Sequence, residues 1–136
     1  MRPSWDEYYL AIATTVSSRA DCSRRQHGAV IVGPDRRPIS FGYNGAPSGA
    51  PGCLEGACPR GRLTYEELQS LAGGYDDPES PGFCISIHAE ANAIVLAGRD
   101  RCAGATIYIT GPPCHGCEKL IAAAGIARIV YEGSTE

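Results

Sequence analysis

The stretch GATIYITGPPCHGCEKLIAAAGIARIVY, residues 104–131, reads as strand, helix, strand. Residues 105 to 110 form a short apolar run with β-branched and aromatic side chains, bounded by turn formers, which is the composition of a buried strand. Pro112 and Pro113 suit the opening of a helix from Cys114 to residue 124, because proline is tolerated where the first backbone donors are orphaned anyway. Residues 127 to 131 then read as another strand. Strands alternating with helices imply parallel pairing at this end of the chain and a layered α/β fold.

Working outward, Ser4 and Glu7 form a capping-box pattern, and Tyr8, Leu10, Ile12 and Val16 suit a helix reaching Arg19. Residues 28 to 33 read as a buried strand. Gly33-Pro34-Asp35 turns the chain into a second strand over 38–43, so the two are expected as a hairpin. Residues 44 to 63 hold many Gly, Pro and Cys residues and no apolar periodicity, which marks a functional or metal-tied loop. Thr64 and Glu67 form a second capping box for a short helix to Leu71, with Gly73 as its stop, and residues 76 to 82 form another loop. A further helix opens at His88, with Ala91, Ile94 and Val95 as its expected buried side. No internal repeat is evident, and residues 1–136 are expected to form a single domain, a three-layer α/β/α sandwich.

Two motifs carry chemistry: His88-Ala89-Glu90 and Pro113-Cys114-His115-Gly116-Cys117. Cys114 and Cys117 at the first turn of a helix place both sulfurs on one side, where they can grip one ion. With His88 they make three protein donors, which leaves the fourth tetrahedral position of Zn²⁺ open for water; a structural site closes all four. Such water loses a proton near neutral pH. Glu90 is the unligated carboxylate placed to handle that proton. H-x-E and P-C-x-x-C together are the signature of zinc nucleobase deaminases, in which water attacks C4 of cytosine and the carboxylate delivers the proton to N3 and to the departing amine.

On these motifs the chain resembles the cytidine deaminase superfamily and, within it, the deoxycytidylate (dCMP) deaminases. The likeness extends to Arg2-Pro3-Ser4-Trp5-Asp6-Glu7-Tyr8-Tyr9, Gly28-Ala29-Val30-Ile31-Val32, Gly42-Tyr43-Asn44-Gly45-Ala46-Pro47, the 104–110 strand and Ala124-Gly125-Ile126. The zinc motifs identify the superfamily, and the GYNG loop and RPSWDEY start point to the nucleotide-level branch. The resemblance implies a mixed sheet of strand order 2-1-3-4, with a fifth strand where present. The chain ends five residues after Tyr131, so that last strand is expected to be missing or shortened. It also implies zinc-dependent deamination of dCMP to dUMP in pyrimidine nucleotide metabolism, in a homo-oligomer (a hexamer in relatives), with dCTP and dTTP as effectors.

The same likeness implies substrate contacts from Ala89 and Asn44, and effector or nucleotide contacts from Tyr43, Gly45 and Arg99. Arg24 and Arg25 precede the first strand, where guanidinium donors can meet a 5′-phosphate. His27 stands where the family usually places a small apolar residue, a departure that either alters the pocket edge or fills a partly exposed position, the second being the expectation. Cys22, Cys53, Cys58 and Cys84 remain open between two readings: a second, structural zinc site of four thiolates, near where relatives carry one, or free thiols. Cys102 is expected to be an ordinary core or loop thiol.

Composition agrees with a compact cytosolic enzyme. Hydrophobic residues make up 43% and charged residues 20%, so disorder is disfavoured. A net charge of −3 with scattered basic residues disfavours a nucleic-acid partner. No apolar run has the length of a membrane span and the N-terminus lacks signal-peptide regions, so a cytoplasmic location is expected. Seven cysteines, an odd count with two in a metal motif, fit reduced thiols and zinc better than disulfides. The alternatives are a deaminase of dCTP, 5-substituted dCMP or a nucleoside antibiotic, a tRNA adenosine deaminase, and a non-catalytic zinc-binding competence or interaction module.

Overall fold

The computed structural model describes residues 1–71 and 74–134; Gly73, the expected helix stop, lies outside them. The elements are α1 (Trp5–Ser17), β1 (Gly28–Val32), β2 (Pro38–Tyr43), α2 (Tyr65–Gln69), α3 (Ala89–Ala97), α4 (Arg99–Cys102), β3 (Thr106–Ile109), α5 (His115–Ala123) and β4 (Arg128–Val130). The sheet has the order β2-β1-β3-β4. β1 is antiparallel to β2 and to β3, while β3 and β4, joined through α5, are parallel. The expected hairpin, the parallel end and the mixed order are all present.

Side-chain alternation in β1 divides the core. Val30 and Val32 meet Tyr9 and Ala13 of α1 on one face, with Tyr108 and Val130. Ala29 and Ile31 meet Ala89, Ala93 and Ile94 of α3 on the other, with Ile107, Ile109 and Ile121. This gives the three layers of an α/β/α sandwich. Two glycines let the helices come close: a Cβ at Gly28 would lie 2.1 Å from the Ala13 carbonyl oxygen, and one at Gly42 would lie 2.5 Å from that of Ala89.

The helix α1 ends at Ser17, close to the expected end at about Arg19, with the Ser17 and Ser18 hydroxyls donating to the Thr14 and Thr15 carbonyls. Two local expectations need correction. The buried side of α1 is Tyr9 and Ala13, with Leu10, Ile12 and Val16 packed at its margin, while Tyr8 is exposed. In α3 the stripe facing the sheet is Ala89, Glu90, Ala93, Ile94 and Ala97, which leaves Val95 80% exposed and Ala91 half-buried.

α1 is fastened to the far edge of the sheet. Asp6 accepts from the Tyr108 hydroxyl at 2.8 Å and from both terminal nitrogens of Arg128, at 3.0 and 2.6 Å. The Arg128 hydrogen bonds, reinforced by Tyr108, hold the Asp6 carboxyl below its ordinary range against the opposing effect of burial. Burial first, then Asp6, pushes the Tyr108 phenol up to about 12. A carboxyl depressed in the folded state adds stability that is present above its unfolded pKa and is lost as pH falls through the folded value. Asp6→Asn should therefore cost roughly 0.5–1 kcal/mol at pH 7, a value discounted because the pair meets solvent. Urea titrations at pH 7 and below the carboxylate range should show the difference between wild type and variant shrinking toward acid.

Candidate active site

Both metal-binding motifs sit at helix starts. His88 is the N-cap residue of α3, and Cys114 is the N-cap residue of α5 with Cys117 one turn inside it. His88 Nδ1 lies 3.3 Å from Cys117 Sγ and 3.5 Å from Cys114 Sγ. The three ligand atoms fall within 4.8 Å of one another, and this is the only such cluster among the described residues. One imidazole nitrogen and two sulfurs suit Zn²⁺ as a three-donor set with one tetrahedral position left over. Burial first, then the charge of Glu90, pushes the buried Cys117 thiol up. A bound divalent cation reverses that balance, since a coordinating thiol is deprotonated outright.

Glu90 is 6% exposed, on the sheet-facing side of α3 two residues after His88. Its backbone is located by β2: Ser40 Oγ donates to the Ala93 carbonyl at 2.8 Å, and Asn92 Nδ2 donates to the Tyr43 carbonyl at 2.9 Å. Gly45 forms a two-way backbone bridge with Ile87, so the GYNG loop is clamped to the residue before His88. Asn92 was not foreseen from the sequence; its place one turn after His88 was the available signal.

A cavity of about 420 Å³ opens beside the cluster and is lined by His88, Ala89, Glu90 and Cys114, together with Ile109, Gly111 and Pro112. Asn44 lines it as well. Its Oδ1 accepts from His27 N at 2.8 Å and its Nδ2 donates to the Arg25 carbonyl at 3.0 Å, so the amide keeps one lone pair and one N–H for a ligand. Arg24 reaches the cavity, but its guanidinium donates to the Arg60 carbonyl at 2.7 Å and to the Leu63 carbonyl, and lies over the Tyr65 ring. That makes Arg24 a brace for the 58–65 loop. The Arg25 guanidinium has no hydrogen-bond or ion-pair partner among the described residues. Tyr43, Gly45 and Arg99 do not line the cavity; Arg99 Nε donates to the Ala123 carbonyl at the end of α5.

Cys22, Cys53, Cys58 and Cys84 all line this same cavity. Cys22 Sγ accepts from the backbone N–H groups of Arg24 and Arg25 at 3.4 Å each. Burial raises the Cys58 thiol, but N–H donation from Ile85, Gly61 and Arg60 and contact with Cys84 outweigh it and hold that thiol below its ordinary value. Burial raises Cys84, with the charge of Cys58 adding to it. Ser86, between Cys84 and His88, is also on the wall, and its buried hydroxyl has no partner among the described residues. Cys102 is fully buried in the α3-side core, as expected. His27 is half-buried, in the partly exposed position expected of it, and it also lines the cavity.

Comparison with known proteins agrees with this geometry. The family profile "Cytidine and deoxycytidylate deaminase zinc-binding region" matches residues 3–133. The deoxycytidylate deaminase of Mycobacterium phage D29 is 48% identical over 131 residues, which cover 96% of this chain and 95% of that one. The deoxycytidylate deaminase of Saccharomyces cerevisiae is 39% identical over 98% of this chain, which spans 39% of the yeast protein. The crystal structure of the cyanophage S-TIM5 dCMP deaminase in complex with dCMP and dUMP superposes with a TM-score of 0.68 and 26% identity, covering 96% of this chain and 82% of that one. With the β2-β1-β3-β4 sheet, the His88, Cys114 and Cys117 cluster and a profile match over nearly its whole length, this chain belongs to the cytidine and deoxycytidylate deaminase family.

Proposed function

We propose that this chain is a zinc-dependent hydrolase that converts dCMP and water to dUMP and ammonia. The observation that carries it is a buried carboxylate, Glu90, beside a three-donor metal cluster at the wall of a cavity sized for a single small ligand. The relative solved with dCMP and dUMP, and the relatives named deoxycytidylate deaminase, support that substrate.

Zinc held by His88, Cys114 and Cys117 would supply Lewis acidity and lower the pKa of water at its open position. The protein's own work falls on Glu90. Its carboxylate accepts a proton from the attacking water and passes it to N3 of the ring; the water oxygen bonds to C4, the bond from C4 to the exocyclic amine breaks, and the amine leaves as ammonia after a second proton transfer. Burial of Glu90 keeps bulk water from competing for that proton. Ala89 lets the ring lie close to the start of α3, Asn44 offers its remaining N–H and lone pair to the sugar, and Arg25 meets the 5′-phosphate. The test is ammonia release from dCMP, dCTP, deoxycytidine and a tRNA fragment. Preference for dCMP is expected, and equal efficiency with deoxycytidine would remove the phosphate contact from the scheme.

The proposal includes a second, structural zinc on Cys22, Cys53, Cys58 and Cys84. Their shared cavity wall and the N–H donors to Cys22 support it; the four sulfurs are not gathered at ligating distance as the His88 cluster is, so binding of the ion would have to draw them together. Fully loaded protein should carry two zinc ions per chain by elemental analysis, and Cys58→Ala should carry one and melt at lower temperature. A single zinc in the loaded wild type would reject it. The proposal also places the whole 1–136 segment in one deaminase domain, acting in the cytoplasm as a homo-oligomer. dCTP and dTTP would act through the Tyr43–Gly45 loop and Arg99, the Gly45 bridge to Ile87 supplying a physical link to His88. No helix among the described residues is long and apolar enough to cross a membrane.

A further inference from the structure

His27 is the one cavity-lining histidine outside the metal cluster, and the reaction scheme leaves it unused. Its Nδ1 lies 3.5 Å from Thr110 Oγ1, and that oxygen already accepts the Gly28 N–H at 3.2 Å. The hydroxyl proton of Thr110 has no other acceptor among the described residues, so donation to Nδ1 is the assignment that satisfies both groups, and it puts the ring N–H on Nε2, the nitrogen left for a ligand. The ring's backbone is pinned as well, because His27 N donates to Asn44 Oδ1.

Arg25 and His27 both line the cavity, while Gln26 between them turns away to donate to the Cys22 carbonyl at 2.8 Å. The segment therefore presents an uncommitted guanidinium and an imidazole N–H to one side, donors without an acceptor. The reacting edge of a base must lie against Glu90 and His88. Of the remaining parts of a nucleotide, the phosphate is the one whose chemistry matches a pair of donors that includes a cation.

We infer that His27 is a specificity residue, donating from Nε2 to a 5′-phosphate oxygen of the bound nucleotide alongside Arg25. This rests on the reading of the site as a nucleotide deaminase. Steady-state kinetics of the zinc-loaded protein with dCMP and with deoxycytidine test it. His27→Val should raise KM for dCMP about tenfold or more, the cost of losing a hydrogen bond to a charged acceptor, with kcat within about twofold of wild type. The kcat/KM for deoxycytidine and the zinc content should not change. His27→Gln, whose side-chain N–H can stand in for Nε2–H, should recover most of the dCMP affinity. As a second readout that needs no turnover, His27→Ala should bind dUMP about tenfold more weakly and deoxyuridine as wild type does.

Equal losses with and without the phosphate, or no loss at all, would overturn the inference. Wild-type protein inert toward dCMP would instead remove the deaminase reading beneath it, so the two failures are distinguishable.

Discussion

Glu90→Gln should fold, keep its zinc and lose at least ~10³-fold in kcat on dCMP, within the range for a positioned acid–base group. Gln has nearly the shape of Glu but cannot accept and return a proton. The substitution therefore separates proton transfer from packing at a residue that is 6% exposed on the sheet-facing stripe of α3. Glu90 is not one of the three cluster donors, so the variant should keep its ion. Zinc content by elemental analysis and single-turnover rates with dCMP read the two consequences independently. Turnover near the wild-type rate would end the assignment of Glu90 as the proton carrier; zinc loss would recast it as a structural support for the cluster.

Cys117→Ser should abolish activity by a different route. Cys117 is the buried member of the cluster, 3.3 Å from His88 Nδ1 on the first turn of α5. Removing its sulfur leaves two donors at helix starts that no longer share an ion. Turnover should fall below detection, catalytic zinc should be lost, and the melting temperature should drop, because metal-binding free energy at such a site is also folding free energy. Cys102→Ala supplies the control. That thiol is just as buried but lies in the core beside Ala97 and Ala105, away from any donor, so its loss should cost modest stability and leave zinc and kcat intact. A Cys117→Ser protein that retained zinc and activity would show that the cluster is not the catalytic centre.

Local pattern located the elements well wherever the signal was itself local. Ser4 with Glu7 and Thr64 with Glu67 form the expected reciprocal caps, because a capping box is a contact between residues three apart. Strand β1 is buried at every position, as a continuous apolar run requires when helices cover both faces. The choice between neighbouring apolar residues was not legible. Tyr8 and Tyr9, or Ile94 and Val95, are equivalent to a periodicity count, and only the rotation of each helix on the sheet, set by Gly28 and Gly42, selects the buried one. The short α4, with four residues and two arginines, has no apolar period to betray it.

At the site, motif spacing singled out His88, Cys114, Cys117 and Glu90 as candidates because those residue types are scarce and their chemistry is specific, and the fold brings the first three within 4.8 Å of one another. The spacing said nothing of Asn92, Ser86 or Thr110, common polar residues that matter only for where they point. The sequence by itself determined the chemistry: one histidine, two cysteines and a glutamate at intervals that suit helix starts, on a chain patterned for an α/β/α sandwich. Tertiary structure alone decided that Arg24 braces a loop while Arg25 stays uncommitted, that His27 joins the cavity wall, and that four distant cysteines share that wall. Those outcomes depend on contacts between residues far apart in the chain, 36 positions for Arg24 and Arg60 and 83 for His27 and Thr110, and hydrogen bonding and packing across such distances leave no periodic trace in the order of the amino acids.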